Sequence, residues 1–469
     1  MKSDKNKGVD RRRFLRTLGA GAVVTAAAGL ESCNSQQGRS PLFGYQTGEV
    51  PTDKMTYRTQ PRTGDRVSLL GYGCMRWPTR QRADGNGQEI DQEMVNQLVD
   101  YAIEHGVNYF DTSPLYVQAL SEKATGIALS RHPREKWFIA TKMSNHRAVP
   151  PGVSMRDYSI EMYHNSMEQL QVDYLDYYLL HGVGMGGGMK AFNDRFVDPG
   201  LIDFLLKERE AGRIRNLGWS FHQDVAVFDH LLSTGIDWDF AQIQLNYADW
   251  KNADGSFNVN AEYLYGELEK RNITATIMEP LLGGRLARLN PIALELLRAH
   301  RPGDNPAQWA FRYAGTHEKV LTVLSGMTYM EHLQDNIRTY SPLQPVTPDE
   351  EETLQKVAEI ILKSQYISCT TCQYCMPCPY GLDIPSIFSH YNRCISDDNM
   401  PRLDTQEAVE YRRARRAFLV GYDRSVPRLR QASHCTNCGQ CRSKCTQSIN
   451  IPDEMVRIDE FVELLKKTV

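Results

Sequence analysis

The chain has no long apolar run. Its best candidate, Leu18 to Leu30, is ~13 residues rich in Ala and Gly, too short to cross a ~30 Å hydrocarbon core as a stable span. It has no excess of either charge, with 54 Lys+Arg against 57 Asp+Glu and a net charge of −3. Bulk nucleic-acid binding, which needs a strongly basic surface, is thereby excluded. Low complexity is absent too, because the 34 Gly and 22 Pro are dispersed. A hydrophobic content of 41% with 24% charged residues excludes wholesale disorder. No Gly-x-Gly-x-x-Gly follows the first candidate strand, which argues against a Rossmann unit, and no flavin motif is visible. What the chain does have is cysteine. Eight of its 11 Cys fall in two short clusters, a spread unlike that of disulfides. A length of 469 residues suggests about three domains, or one large domain with a small one.

Residues 10–16, Asp-Arg-Arg-Arg-Phe-Leu-Arg, precede the short apolar stretch. The arrangement resembles a twin-arginine export signal, with Arg11 and Arg12 as the pair. Leu30-Glu31-Ser32-Cys33 is similar to a lipobox, in which the cysteine becomes the acylated first residue. The alternative is cleavage nearby, with Cys33 discarded or free. Residues 1–33 therefore read as a signal and 34–60 as a tether. The expected location is outside the cytoplasm, periplasmic or held to the membrane through a lipid on Cys33.

From about Pro61 to Ser341, short apolar runs alternate with longer amphipathic stretches. The strand candidates are Val67–Cys74, Asn108–Thr112, Trp137–Thr141, Leu175–Leu180, Ile214–Ser220, Phe240–Leu245, Thr274–Met278 and Val320–Leu324. Helical stretches lie between them, such as Asp91–His105, Met155–Leu170, Pro199–Ala211 and Ala261–Lys270. Alternation of this kind calls for a parallel sheet covered on both faces. Eight units in ~280 residues fit an α/β fold of the closed (β/α)8 TIM-barrel type over 61–345. Polar residues gather where these strands end: Asp111, Lys142, His181, Ser220, Asn246 and Glu279. In a barrel those ends form one rim, where active sites are built.

The run Phe110-Asp111-Thr112-Ser113-Pro114-Leu115-Tyr116, then Ala140-Thr141-Lys142, then Leu180-His181-Gly182, resembles the aldo-keto reductase family in order and strand placement. The likeness continues through Gly218-Trp219-Ser220, Gln242 to Tyr247, Glu279 to Gly284 and Ser325-Gly326-Met327. It implies an NAD(P)-dependent oxidoreductase acting on a small carbonyl or alcohol. Tyr116 would be the proton donor, tuned by Lys142 and Asp111, and His181 would orient the carbonyl oxygen. By the same resemblance Ser220 and Gln242 would bind the nicotinamide carboxamide. Leu281, Gly283, Ser325, Gly326 and Met327 would line the pyrophosphate path, and Asp335 and Asn336 would reach the adenine. Two positions depart from the family pattern. Met278 stands where an aromatic ring often packs on the nicotinamide. His332 stands where a basic residue often grips the 2′-phosphate, which leaves NAD and NADP both open.

After Pro348 the pattern changes, and 346–469 reads as a separate small domain. A helical stretch, Asp349–Lys363, leads to Cys369-x2-Cys372-x2-Cys375-x2-Cys378-Pro379, and later to Cys435-x2-Cys438-x2-Cys441-x3-Cys445. Thiolates spaced this way can wrap an iron–sulfur cluster. A single zinc, disulfides and one degenerate cluster are the competing readings. The second run has the bacterial ferredoxin spacing, with Thr446 in place of the usual Pro. The first is one residue short before its fourth Cys. Resemblance to two-cluster ferredoxins implies two [4Fe–4S] clusters with exchanged fourth ligands: Cys369, Cys372, Cys375 and Cys445 on one, and Cys435, Cys438, Cys441 and Cys378 on the other. Cys74 and Cys394 read as ordinary buried thiols.

The expected whole is an exported oxidoreductase interconverting a carbonyl and an alcohol, with clusters for electron transfer or structure and room for a redox partner protein. Membrane association would come only through the lipid. A nicotinamide-binding electron carrier or redox sensor without catalysis is the alternative, against which the intact Asp111, Tyr116, Lys142 and His181 argue. The loop Gly182–Lys190, with five Gly and two Met, reads as adaptable.

Overall fold

Eight short apolar strands, each too hydrophobic to face water, close on one another in a computed structural model of the chain. The structure describes residues 48–83, 87–251, 260–363, 366–402 and 409–467. The signal and lipobox residues, and most of the tether, lie outside these. The barrel strands are β1 (Leu70–Gly73), β2 (Tyr109–Asp111), β3 (Phe138–Met143), β4 (Leu175–Val183), β5 (Ile214–Phe221), β6 (Phe240–Gln244), β7 (Thr274–Met278) and β8 (Val320–Ser325). All neighbours are parallel, and β8 pairs with β1 to close the ring. All nine residues of β4 are buried, as expected of a strand covered by helices outside and side chains within. The (β/α)8 reading of the sequence is met at every strand.

The helices form where apolar spacing and caps agree. In Gln92–Glu104 the buried Val95, Leu98, Val99 and Ala102 recur at helical intervals, and the Asp91 side chain accepts from Met94 N at 3.2 Å. Asn305 and Gln308 make a reciprocal capping box at the start of Pro306–Thr316.

Two hairpins were not legible in the strand pattern. Tyr57–Thr59 pairs antiparallel with Arg66–Ser68, at the end of the barrel opposite the rim. There Gln60 donates to the Asp239 carbonyl at 3.1 Å, and the Arg58 guanidinium to the Gly315 carbonyl at 3.0 Å. Val50 and Met55 are already buried in the barrel core, so ordered packing starts within the stretch read as tether. The second hairpin, Thr79–Gln81 with Gln88–Ile90, is solvent-facing.

Residues 50–469 form one compact unit. The helix Pro348–Lys363 lays Leu354, Val357, Ala358 and Ile361 into the barrel core. Beyond it, helices Ile384–Ser396, Val409–Ser425 and Ile451–Lys467 share a second core built on Ile387, Phe388, Phe418, Met455 and Val462. Cys375 and Cys445 belong to that core. Among the described residues, no helix is long and apolar enough to cross a membrane.

Candidate active site

At the rim, the ends of β2, β3 and β4 bring Asp111, Lys142 and His181 together, and the turn after β2 adds Tyr116. All four side chains are buried. Lys142 Nζ donates to Asp111 Oδ1 at 2.5 Å and to the Thr112 carbonyl at 2.8 Å. Its ammonium lies 5.0 Å from the Tyr116 ring centroid, over the ring face. Burial pulls the Lys142 pKa down from its ordinary value, and Asp111 opposes that loss of charge.

Burial holds the Tyr116 phenol well above its ordinary pKa, with Tyr374 and Asp111 adding to the effect. The ammonium faces the ring, where it is placed to offset negative charge spread into the π-system. The acid is thus stored protonated.

His181 is held from behind. Its Nδ1 meets Ser144 Oγ at 2.5 Å, and Ser144 in turn meets Ser113 Oγ at 2.8 Å. The buried Arg195 donates to the carbonyls of His181 and Gly182, and to Asn145 Oδ1 at 3.1 Å. Burial keeps the His181 pKa well below its ordinary value, and the neighbouring His146, Lys142 and His222 push the same way. The neutral form of His181 is thereby favoured, with Nε2 turned to the Tyr374 hydroxyl at 3.2 Å.

The positions assigned to the dinucleotide lie along β5 to β8. Gln242 and Ser220 pair in register on neighbouring strands. Gln242 Nε2 donates to Asp111 Oδ2 at 3.0 Å, tying Gln242 to the ion pair. Ser220 Oγ accepts from Gly182 N at 2.8 Å. An amide and a hydroxyl side by side fit a nicotinamide carboxamide by chemistry. Met278 ends β7, opposite Gln244 in register. Leu281 and Gly283 follow in the next turn, while Gly326 and Met327 come directly after Ser325 at the end of β8.

Asn336 Nδ2 donates to Ser325 Oγ at 2.9 Å, and Asp335 accepts from Asn305 at 2.8 Å. His332 is half-buried, and burial lowers its pKa, so it carries little cationic character toward a 2′-phosphate. Gly283, at φ +68°, is closely approached by the tail: a Cβ there would fall 2.3 Å from Thr370 Cα. The middle of the track is thus shared with residue 370.

The tail sits on this rim. Arg76 donates to the Thr370 carbonyl at 2.8 Å and Thr371 Oγ1 at 2.9 Å, and Gln223 Nε2 donates to the Cys445 carbonyl at 2.8 Å. Cys369, Cys372, Cys375 and Cys445 line one pocket, walled by Ile384, Phe388 and Ile451. Burial and the neighbouring Cys372 and Cys445 push the Cys369 thiol up to about 12. Cys441 is pushed up to about 11 by burial and by Cys435, Cys438 and Cys378. Cys369, Cys372, Cys375 and Cys445 thus share one pocket, and Cys378, Cys435 and Cys438 lie near enough to Cys441 to raise its thiol; Cys375 feels both Cys445 and Cys441. Among the described residues, no three His, Cys, Asp or Glu side chains converge on a single metal ion. Cys74 and Cys394 are buried thiols.

Several site residues carried no local signal in the sequence. Ser144, Arg195 and Tyr374 reach His181 only through the fold, with Tyr374 Oη 3.2 Å from His181 Nε2.

A model described as the aldo/keto reductase family matches residues 69–359. The chain is 25% identical over 327 residues to L-galactose dehydrogenase of Arabidopsis thaliana, covering 66% of this chain and 95% of that protein. It is 25% identical over 335 residues to Protein tas of Escherichia coli (strain K12), covering 61% and 93%. Among solved structures it is similar to the holo form of aldo-keto reductase AKR11C1 from Bacillus halodurans, at 25% identity and a TM-score of 0.51, over 65% of this chain and 96% of that one. The family match stops before Cys369.

Proposed function

The chain belongs to the aldo/keto reductase family of oxidoreductases, and from that membership we propose that it interconverts a small carbonyl and an alcohol at the Asp111–Tyr116–Lys142–His181 site. A bound NAD or NADP supplies or accepts the hydride. In the reducing direction, His181 Nε2–H donates to the carbonyl oxygen, its tautomer set by a proton from Ser144 Oγ on Nδ1. Tyr116 Oη gives its proton to that oxygen. The negative charge left on Tyr116 faces the Lys142 ammonium across the ring, and Asp111 keeps that ammonium charged and in place. Ser220 and Gln242 would hold the carboxamide. Because Gln242 also grips Asp111, the amide that would hold the carboxamide is hydrogen-bonded to the ion pair that faces Tyr116.

The tail thiols would hold two [4Fe–4S] clusters, one on Cys369, Cys372, Cys375 and Cys445, the other on Cys378, Cys435, Cys438 and Cys441. Bound there, such groups supply one-electron chemistry or structural closure beside the rim. The leader would export the folded protein by the twin-arginine route, and Cys33 would carry a lipid. A route that moves folded proteins lets both cofactors be loaded beforehand.

The observation that carries the catalytic reading is the buried Lys142–Asp111 pair facing Tyr116, with a neutral His181 opposite. Replacing Tyr116 by Phe tests it. Turnover of 4-nitrobenzaldehyde with NADPH should fall by at least about a hundredfold, the order expected for losing a general acid, while nicotinamide binding persists. Undiminished turnover overturns the assignment.

A further inference from the structure

The first cysteine loop brings more than thiols to the rim. Tyr374 stands between Cys372 and Cys375, and its hydroxyl lies 3.2 Å from His181 Nε2. The Tyr116 phenol is within its hydrogen-bonding reach. Its ring leans on His146, with centroids 5.8 Å apart, and meets His181 edge-on at 6.2 Å. Tyr116 and His181 are the two groups assigned above to the reacting oxygen. His181 Nδ1 is already engaged by Ser144, so Nε2 has a single hydrogen bond to give. It cannot hold the Tyr374 hydroxyl and a substrate oxygen together.

The loop is anchored on both sides of Tyr374, by Arg76 on Thr370 and Thr371 and by Cys375 in the second core. Thr370 is pinned by Arg76 and packed on Gly283. Past it, Thr371 and Gln373 adopt φ of 54° and 66°, a left-handed region that non-glycine residues rarely occupy.

We propose that Tyr374 is a gate on the oxygen seat: the substrate's carbonyl or alcohol oxygen displaces the Tyr374 hydroxyl from His181, and the loop carrying Cys372 and Cys375 moves with it. This rests on the site reading given above. Tyr374 acts as a positioning residue, competing with substrate and releasing when substrate binds. Arrival of substrate is then transmitted to two of the four thiols that line the 369–445 cavity, through a lever two residues long. The strained backbone at 371 and 373 gives the displaced loop an easier conformation to adopt.

The test uses the full chain purified anaerobically, with 4-nitrobenzaldehyde and NADPH for turnover and 4-nitrobenzyl alcohol as the binding probe. In Tyr374→Phe the ring remains but the competing hydrogen bond is gone. The KM for the aldehyde should fall about fivefold, the factor one ordinary hydrogen bond is worth, with no fall in kcat. In parallel, 3-fluorotyrosine placed at position 374 should show a fluorine resonance that shifts as the alcohol is added. A KM that is unchanged or raised, or a resonance that stays put at high alcohol, overturns the gate. Tyr116→Phe separates the two levels: if that variant keeps full turnover, the oxygen seat itself was misassigned.

Discussion

Replacing Lys142 by Met removes one half of a buried ion pair and leaves the other half in place. In the native chain both partners are fully enclosed, with side-chain exposures of 0% and 3%. After the change, Asp111 keeps only the Gln242 amide, at 3.0 Å. Breaking a buried pair from one side costs roughly 3–5 kcal/mol of stability, because the remaining charge has no partner and no water. Turnover should fall further than stability alone explains, by about 10²–10⁴, since the cation facing the Tyr116 ring is gone. A second variant separates the two effects. Lys142→Met combined with Asp111→Asn leaves no net charge in the site, and the Asn carbonyl can still accept from Gln242. Stability should recover to within about 1–2 kcal/mol of the native chain, while turnover stays low. Urea unfolding followed by tryptophan fluorescence gives the first quantity, and NADPH-linked aldehyde reduction gives the second. If turnover returns together with stability in the double variant, Lys142 serves only to hold the fold.

Replacing Cys378 alone should remove the cluster held mainly by Cys435, Cys438 and Cys441, with the 369–375 group retained; iron analysis and low-temperature spin resonance distinguish this from loss of the nearer group. Changing Arg11 and Arg12 to Lys should leave unprocessed precursor in the cytoplasm, and Cys33→Ala should release mature protein from the membrane; cell fractionation reads both, and normal processing or an unchanged membrane fraction counts against the leader. Acid should weaken the fold. Burial lowers His146 to about 3 and His222, His317 and His390 to about 4, so between pH ~6.5 and ~4 the unfolded chain binds protons that the folded chain refuses. Glu122, raised by burial to about 7, and Asp176, Asp239 and Glu279, also raised by burial, work in the opposite sense. His181, lowered by burial, and Glu208, lowered by its hydrogen bond to Arg213, add to the four histidines and outweigh those carboxylates. The urea midpoint should therefore be lower at pH 5 than at pH 7.5, and an equal or higher midpoint at pH 5 contradicts this assignment.

The barrel was legible because its signal is local. Each strand is a short apolar run, and parallel strands buried on both faces need no partner information to be recognised. Asp111, Lys142 and His181 were legible for a related reason: a polar residue ending an apolar run has to emerge at the rim. The grouping of Cys445 with Cys369, Cys372 and Cys375 came from the resemblance to two-cluster ferredoxins, and the four thiols line one pocket. What the sequence did not disclose are contacts between distant segments. Tyr374 and His181 are 193 positions apart, and nothing in Gln373-Tyr374-Cys375 marks the tyrosine as facing the barrel. Nothing local marks Arg195, which the fold brings to the carbonyls of His181 and Gly182. The hairpin Tyr57–Thr59 was missed because three residues are too few to show a period of two.

The central claim is that one chain joins a carbonyl-reducing barrel to two cluster-binding groups of four thiols at its rim. Iron content combined with low-temperature spin resonance on the anaerobically purified, chemically reduced protein tests it most directly. The account expects about eight irons per chain and a spectrum broadened by two interacting spins, as for paired [4Fe–4S] centres. About four irons and a single isolated spin, or zinc in place of iron, would contradict it.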